Sequence, residues 1–192
     1  MENKVLFVNA CDREESRTLR LCQGLLDGVA FEEVRVHELG CSPLRQTDTE
    51  TRDRLLCAGE RERFSLARQF ARAELIVVGA PYWDLSFPAA LKVYVEHVCA
   101  NGVTFAYGEQ GPYGLCRARA LCYLTTSGGF LAGANFGGDY FRGLAKFFGI
   151  PQFYEVSAEG LDIAGAPVEE ILSRACEKVE RLREQLKRDG GN

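Results

Sequence analysis

Three stretches of this chain are apolar almost without a break: "KVLFVNA" at 4–10, "ELIVVGA" at 74–80 and "ALCYLTT" at 120–126. A strand with one wet face alternates apolar and polar residues. A continuous run marks a strand covered on both faces, and such strands belong to parallel sheets flanked by helices. The segments between the runs carry the helical period. Leu19, Cys22, Leu25, Leu26 and Val29 form one apolar face, and Leu91, Tyr94, Val95 and Val98 form another behind Pro88. Proline suits the first position of a helix, where its missing N–H costs nothing.

Other segments complete the alternation. "EVRVHEL" at 33–39 alternates, as expected of a strand nearer an edge. Residues 51–73 read as helix interrupted near Gly59, with Phe64, Ala67, Phe70 and Ala71 on one face. Residues 139–149 read as helix, "QFYEVSAE" at 152–159 as the last strand, and 168–186 as a closing amphipathic helix. Strand–helix alternation implies right-handed crossovers and a parallel sheet. The expected fold is α/β: a flavodoxin-like three-layer sandwich with helices on both faces. Its five-stranded parallel sheet has the order 2-1-3-4-5. The 192 residues suffice for one domain, 1–192, with a full core.

Composition excludes several roles. A net charge of -4 argues against nucleic acid, whose phosphates call for a basic face. No segment approaches the ~20 apolar residues of a membrane span. The polar start, "MENKVLFVNA", does not read as a signal peptide, so a cytoplasmic protein is expected. The eight cysteines are scattered with no C-x-x-C pair, which fits buried thiols in a reducing compartment. His37 and His97 have no ligand partner at metal-site spacing, so no metal is expected.

In such a sheet a ligand binds beyond the carboxyl ends of the strands, where the strand order reverses. The loops after strands one, three and four then meet. The first, "CDREESRT", ends in Ser16, Arg17 and Thr18 at a helix start, a ready anion cradle. The next carries Pro81, Tyr82, Trp83, Asp84 and Leu85. An aromatic pair at a strand end is costly to leave wet, so a flat group is expected to cover it. The last offers Thr126, Ser127, Gly128 and Gly129, whose glycines permit close approach of backbone. Anion cradle, flat apolar wall and close-approach glycines together describe a planar cofactor bearing a phosphate, such as a flavin. Neither G-x-G-x-x-G nor G-x-x-x-x-G-K-[ST] is present.

The chain resembles the FMN-dependent NAD(P)H:quinone oxidoreductases and azoreductases. The likeness rests on "SRT" at 16–18, "APYWDLSFPAALKVYVEHV" at 80–98 and "GVTFAYGEQGPYGL" at 102–115, together with "TTSGG" at 125–129 and "DYFRGLAKFFGI" at 139–150. It implies bound FMN and NADH or NADPH as donor. It also implies a homodimer with its active site at the interface, and two-electron ping-pong reduction of small planar acceptors. By position, Ser16, Arg17 and Thr18 hold the phosphate, and residues 81–85 line the ribityl chain and ring. Thr126, Ser127, Gly128 and Gly129 meet the ring's far edge. No side chain is required as a catalyst, because the flavin carries the chemistry. Ala10 and Cys11 stand where azoreductases of this group often carry serine.

Two other readings remain open on the sequence. Cys11 and Arg17 are spaced C-x5-R, which resembles low-molecular-weight tyrosine phosphatases, with a thiolate nucleophile. A flavodoxin-type electron carrier would share the fold and lack a substrate of its own.

Overall fold

The computed structural model describes residues 5–44, 64–133 and 135–190. In chain order the elements are β1 (Val5–Asn9), α1 (Arg17–Leu26), β2 (Phe31–Arg35), a 3-10 turn (Val36–Glu38), α2 (Ser65–Arg72) and β3 (Leu75–Gly79). There follow α3 (Ala89–Val98), β4 (Phe105–Gly108), β5 (Gly111–Gly114), β6 (Ala120–Thr126), α4 (Phe136–Phe147), β7 (Gln152–Ala158) and α5 (Val168–Gly190).

The three apolar runs are the three central strands, and every residue of β1, β3 and β6 is buried. The main sheet has the order β2-β1-β3-β6-β7, and all its pairs are parallel. This is the expected 2-1-3-4-5 once β4 and β5 are set aside, since they pair antiparallel in a separate two-stranded sheet. Side chains alternate across the sheet. Leu6, Val8, Ile76 and Val78 join Phe70, Leu91, Tyr94 and Phe141 on one face. Phe7, Val77 and Leu124 join Leu21, Leu25, Leu172 and Val179 on the other. The helices thus lie in two layers, α2, α3 and α4 against α1 and α5. Each fully buried Leu or Phe contributes about 1.5–3 kcal/mol.

The structure departs from the sequence reading at several ends. β2 stops at Arg35 and the chain continues as a 3-10 turn. Val36 is buried, and the His37 ring meets the Ala10 carbonyl at 3.1 Å, so this segment turns back toward β1 instead of extending the strand. Pro88 is the N-cap of α3 rather than its first residue. Of the helix expected over 51–73, α2 accounts for 65–72, and 51–63 lies outside the described residues.

Helix α4 starts three residues before the expected 139. Its first turn contains Gly137 and Gly138, poor helix formers that disguise the start. Asn135 caps it by accepting from the Gly138 N–H at 2.9 Å. A Cβ at Gly138 would lie 2.5 Å from a Glu155 carboxylate oxygen, so any larger residue there would push that side chain aside.

Candidate functional site

The parallel register sets the ends of β1, β3 and β6 side by side: Asn9 pairs with Gly79, and Gly79 with Leu124. Beyond those ends the backbone stays stitched. Ala10 N–H donates to Gly79 O at 2.8 Å, and Ala80 N–H to Leu124 O at 3.0 Å. β1 has β2 on one side and β3 on the other, so the strand order reverses here, the place where sheets of this kind form a ligand crevice.

On the β1 side, Ser16 is the N-cap of α1. Its hydroxyl accepts from Leu19 N–H at 3.2 Å, and its carbonyl from Arg20 N–H at 3.0 Å. Among the described residues the N–H groups of Arg17 and Thr18 find no acceptor. They are the unpaired donors that every helix start leaves. The Thr18 hydroxyl is buried and lies 2.7 Å from the Thr126 hydroxyl. The Arg17 guanidinium turns toward the loop after β7, donating to Asp162 Oδ1 at 2.8 Å and to Leu161 O at 3.5 Å. Asp12, Glu14 and Glu15 are exposed.

Cys11 donates its N–H to Asn9 Oδ1 at 2.9 Å. Burial pushes its thiol pKa above the ordinary value, a Ser16 hydrogen bond offsets part of this, and the Glu33 charge adds to it. A nucleophilic cysteine needs the opposite shift. With Arg17 held by Asp162, the C-x5-R pair lacks the electrostatics of a phosphatase.

On the β3 side, the chain reverses in two residues. Trp83 N–H donates to Ser86 O at 3.1 Å, and Ser86 N–H to Trp83 O at 2.8 Å. Asp84 and Leu85 both adopt positive φ, 49° and 69°. That backbone favours glycine and is tolerated by aspartate, and holding Leu85 in it costs roughly 1–3 kcal/mol. Such strain concentrates at ligand clamps. The turn presents Trp83 and Leu85 to solvent, 44% and 60% exposed, with Pro81 and Tyr82 half-buried beneath. Phe87 anchors the loop, its ring centroid 5.2 Å from that of Tyr140 and 5.3 Å from that of Phe141.

On the β6 side, Ser127 donates its N–H to Ala158 O and its hydroxyl to Gly129 O, at 2.9 and 2.6 Å. The loop after β7 lies against this one: Gly160, Leu161 and Asp162 donate their N–H groups to Gly129, Ser127 and Gly128 carbonyls. A Cβ on Gly128 would sit 2.4 Å from Asp162 Oδ2, whereas one on Gly129 would meet nothing within 4 Å. Gly128 is therefore closed by its neighbours and Gly129 faces open space.

Thr126 joins the three loops. Its hydroxyl meets Thr18, and its carbonyl accepts from Tyr82 N–H at 2.9 Å. The expected residues are thus brought together, except for the Arg17 guanidinium. Unpaired N–H groups and a serine hydroxyl suit a phosphate, and Trp83 with Leu85 suits a planar ring. Residues 158–162 pack against the β6 loop and against Arg17, a contact the sequence reading passed over. Their signal was position alone, since they follow the carboxyl end of a strand.

The fold and this strand-end crevice define a flavodoxin-like α/β protein. A protein-family model described as "Flavodoxin-like fold" matches residues 3–182, and the chain belongs to that family. It is similar to an FMN-dependent NADH:quinone oxidoreductase 2 of Clostridium acetobutylicum, 41% identical over 118 residues. That match spans 59% of this chain and 59% of the relative's length, so the chain covers about three-fifths of such relatives. An FMN-dependent NADH:quinone oxidoreductase of Coprothermobacter proteolyticus is 29% identical over 95% of this chain and 99% of its own length. Among solved structures, an azoreductase from Bacillus anthracis superposes with a TM-score of 0.83 at 23% identity. The superposition covers 95% of this chain and 99% of that one, and it bears on the fold. Among the described residues, no helix is long and apolar enough to cross a membrane.

Proposed function

We propose that this chain is an FMN-dependent NAD(P)H oxidoreductase that reduces quinones, azo compounds or similar planar acceptors. The observation that carries the reading is the meeting of an anion cradle and an exposed apolar wall on Thr126. The names of the relatives support FMN as the cofactor and NADH as the donor.

In this reading the Ser16 hydroxyl and the N–H groups of Arg17 and Thr18 hold the phosphate. The Arg17 guanidinium braces the cradle from behind through Asp162. Pro81, Tyr82, Trp83, Asp84 and Leu85 flank the ribityl chain and ring. Thr126, Ser127, Gly128 and Gly129 meet the ring's far edge. The bound flavin supplies the two-electron redox chemistry. The chain binds it, orients it and keeps water from one face.

The same reading includes a homodimer. Leu85, Tyr107, Tyr113 and Phe136 are 60%, 68%, 53% and 54% exposed, more apolar surface than a monomer needs to leave wet. Their elements all meet α4: Phe87 packs on Tyr140, Phe105 packs on Phe147 at 4.6 Å, and Phe136 opens the helix. By contrast Phe141 and Phe148, in the apolar segment 139–150, are spent in the core. The seven described cysteines are free thiols, which supports a reducing, cytoplasmic setting.

Initial-rate kinetics test the activity. Purified protein loaded with FMN is expected to oxidise NADH with a quinone as acceptor and no other protein present. Double-reciprocal plots at several acceptor concentrations should be parallel, because the crevice admits one planar reactant at a time. An absence of turnover would leave an electron carrier; intersecting lines would mean both reactants bind together.

A further inference from the structure

A cavity of about 270 Å³ is lined by Phe130, Ser157, Glu159, Ile171, Arg174 and Lys178 among others. Phe130 directly follows Gly129, so the cavity adjoins the end of the crevice proposed for the ring edge. We propose that it is a nucleotide subsite, taking the adenosine phosphate half of the nicotinamide donor. This rests on the functional reading above.

The lining carries the parts such a ligand needs. Arg174 and Lys178 are one helical turn apart on α5, so they share a face. Lys178 has no ion-pair partner among the described residues. Arg174 is paired with Glu170 and, with five donors in its fork, keeps others for a phosphate. Two cations on one cavity wall are notable in a chain of net charge -4.

Phe130 is 74% exposed, the most exposed of the large apolar side chains among the described residues. A wet ring beside two cations is the arrangement that stacks a nucleobase while its phosphates are held. The ring's edge rests over Gly160, where a Cβ would come 3.0 Å from Phe130 Cε1. Gly160 also has a φ of 77°, a backbone that favours glycine. Glu159 is fixed in the lining, accepting from Leu131 N–H and from the Ser157 hydroxyl, each at 3.0 Å. Its remaining lone pairs can accept sugar hydroxyls. The volume is just under the roughly 300–1,000 Å³ of a site for a whole small ligand, as suits half of a dinucleotide.

The probe is ADP-ribose, which carries the adenylate and lacks the nicotinamide. Calorimetry on the FMN-loaded protein should show ADP-ribose binding. The double variant Arg174→Ala/Lys178→Ala should weaken it about tenfold or more, the scale of one charge-assisted hydrogen bond. Phe130→Ala should weaken it as well, through loss of the stack. The ratio of KM for NADH to KM for reduced nicotinamide mononucleotide should rise about tenfold in the double variant. ADP-ribose that does not bind the wild type, or binds the variants equally, overturns the subsite, as does an unchanged KM ratio. ADP-ribose binding that depends on these residues, in a protein that oxidises no nicotinamide, would refute the functional reading and leave the subsite standing.

Discussion

Replacing Ser16 and Thr18 together with alanine is expected to lower FMN affinity by roughly one to two orders of magnitude while the fold persists. Two losses combine. The Ser16 hydroxyl is removed from the phosphate, and a hydrogen bond to a charged group is worth about 1.5–3 kcal/mol. Loss of the Thr18 hydroxyl leaves that of Thr126, its partner at 2.7 Å, unpaired where the three loops meet. An unsatisfied buried hydroxyl costs about 1–3 kcal/mol, part of which appears as loosened loops. Thr18→Ser keeps the hydroxyl and should restore much of the affinity. Equilibrium dialysis measures the effect, with far-ultraviolet circular dichroism as the check on folding. Unchanged affinity in the double variant would place the phosphate elsewhere.

Gly114→Ala is expected to cost about 3 kcal/mol or more, at the upper end of overpacking effects. A Cβ at this position would lie 1.9 Å from the Phe148 carbonyl carbon and 2.1 Å from Gly149 N. These are backbone atoms at the end of α4, and they cannot rotate away as a side chain would. The contact is where β5 meets α4, and Cys116 N–H donates to Phe148 O just beyond it at 3.2 Å. Thermal unfolding should fall by roughly 6–12 °C for a chain of this length. Gly143→Ala is the control. It lies within α4 with nothing within 4 Å of its would-be Cβ, so it should stabilise by about 0.5–1 kcal/mol. Equal melting of the two variants would contradict the packing argument.

The central strands were legible because burial on both faces leaves a continuous apolar run, as in Ala120–Thr126. The order of the sheet followed from strand–helix alternation. The β4–β5 hairpin was not read from pattern: its strands contain Gly108, Gly111, Pro112 and Gly114, residues that usually end strands. The α4 start was hidden by two glycines that lie close against Tyr123 and Glu155. In the site, the cap at Ser16 and the exposed Trp83 were readable, since each is a local signal. The positive φ of Leu85 was not, because leucine does not announce such a turn, although aspartate, as at Asp84, is among the residues that tolerate it. The pairing of Arg17 with Asp162 spans 145 positions and left no trace in spacing.

Trp83 gives the most direct test of the central claim, that the crevice beyond β1, β3 and β6 holds FMN. It is the only tryptophan in the chain and stands 44% exposed on the β3 turn. Titration of flavin-free protein with FMN should quench its emission, with saturation at one FMN per chain. Trp83→Phe should bind FMN and lose that signal. Tryptophan emission that stays constant while FMN binds would show that the β3 turn does not wall the flavin. A protein that takes up no FMN would contradict the account altogether.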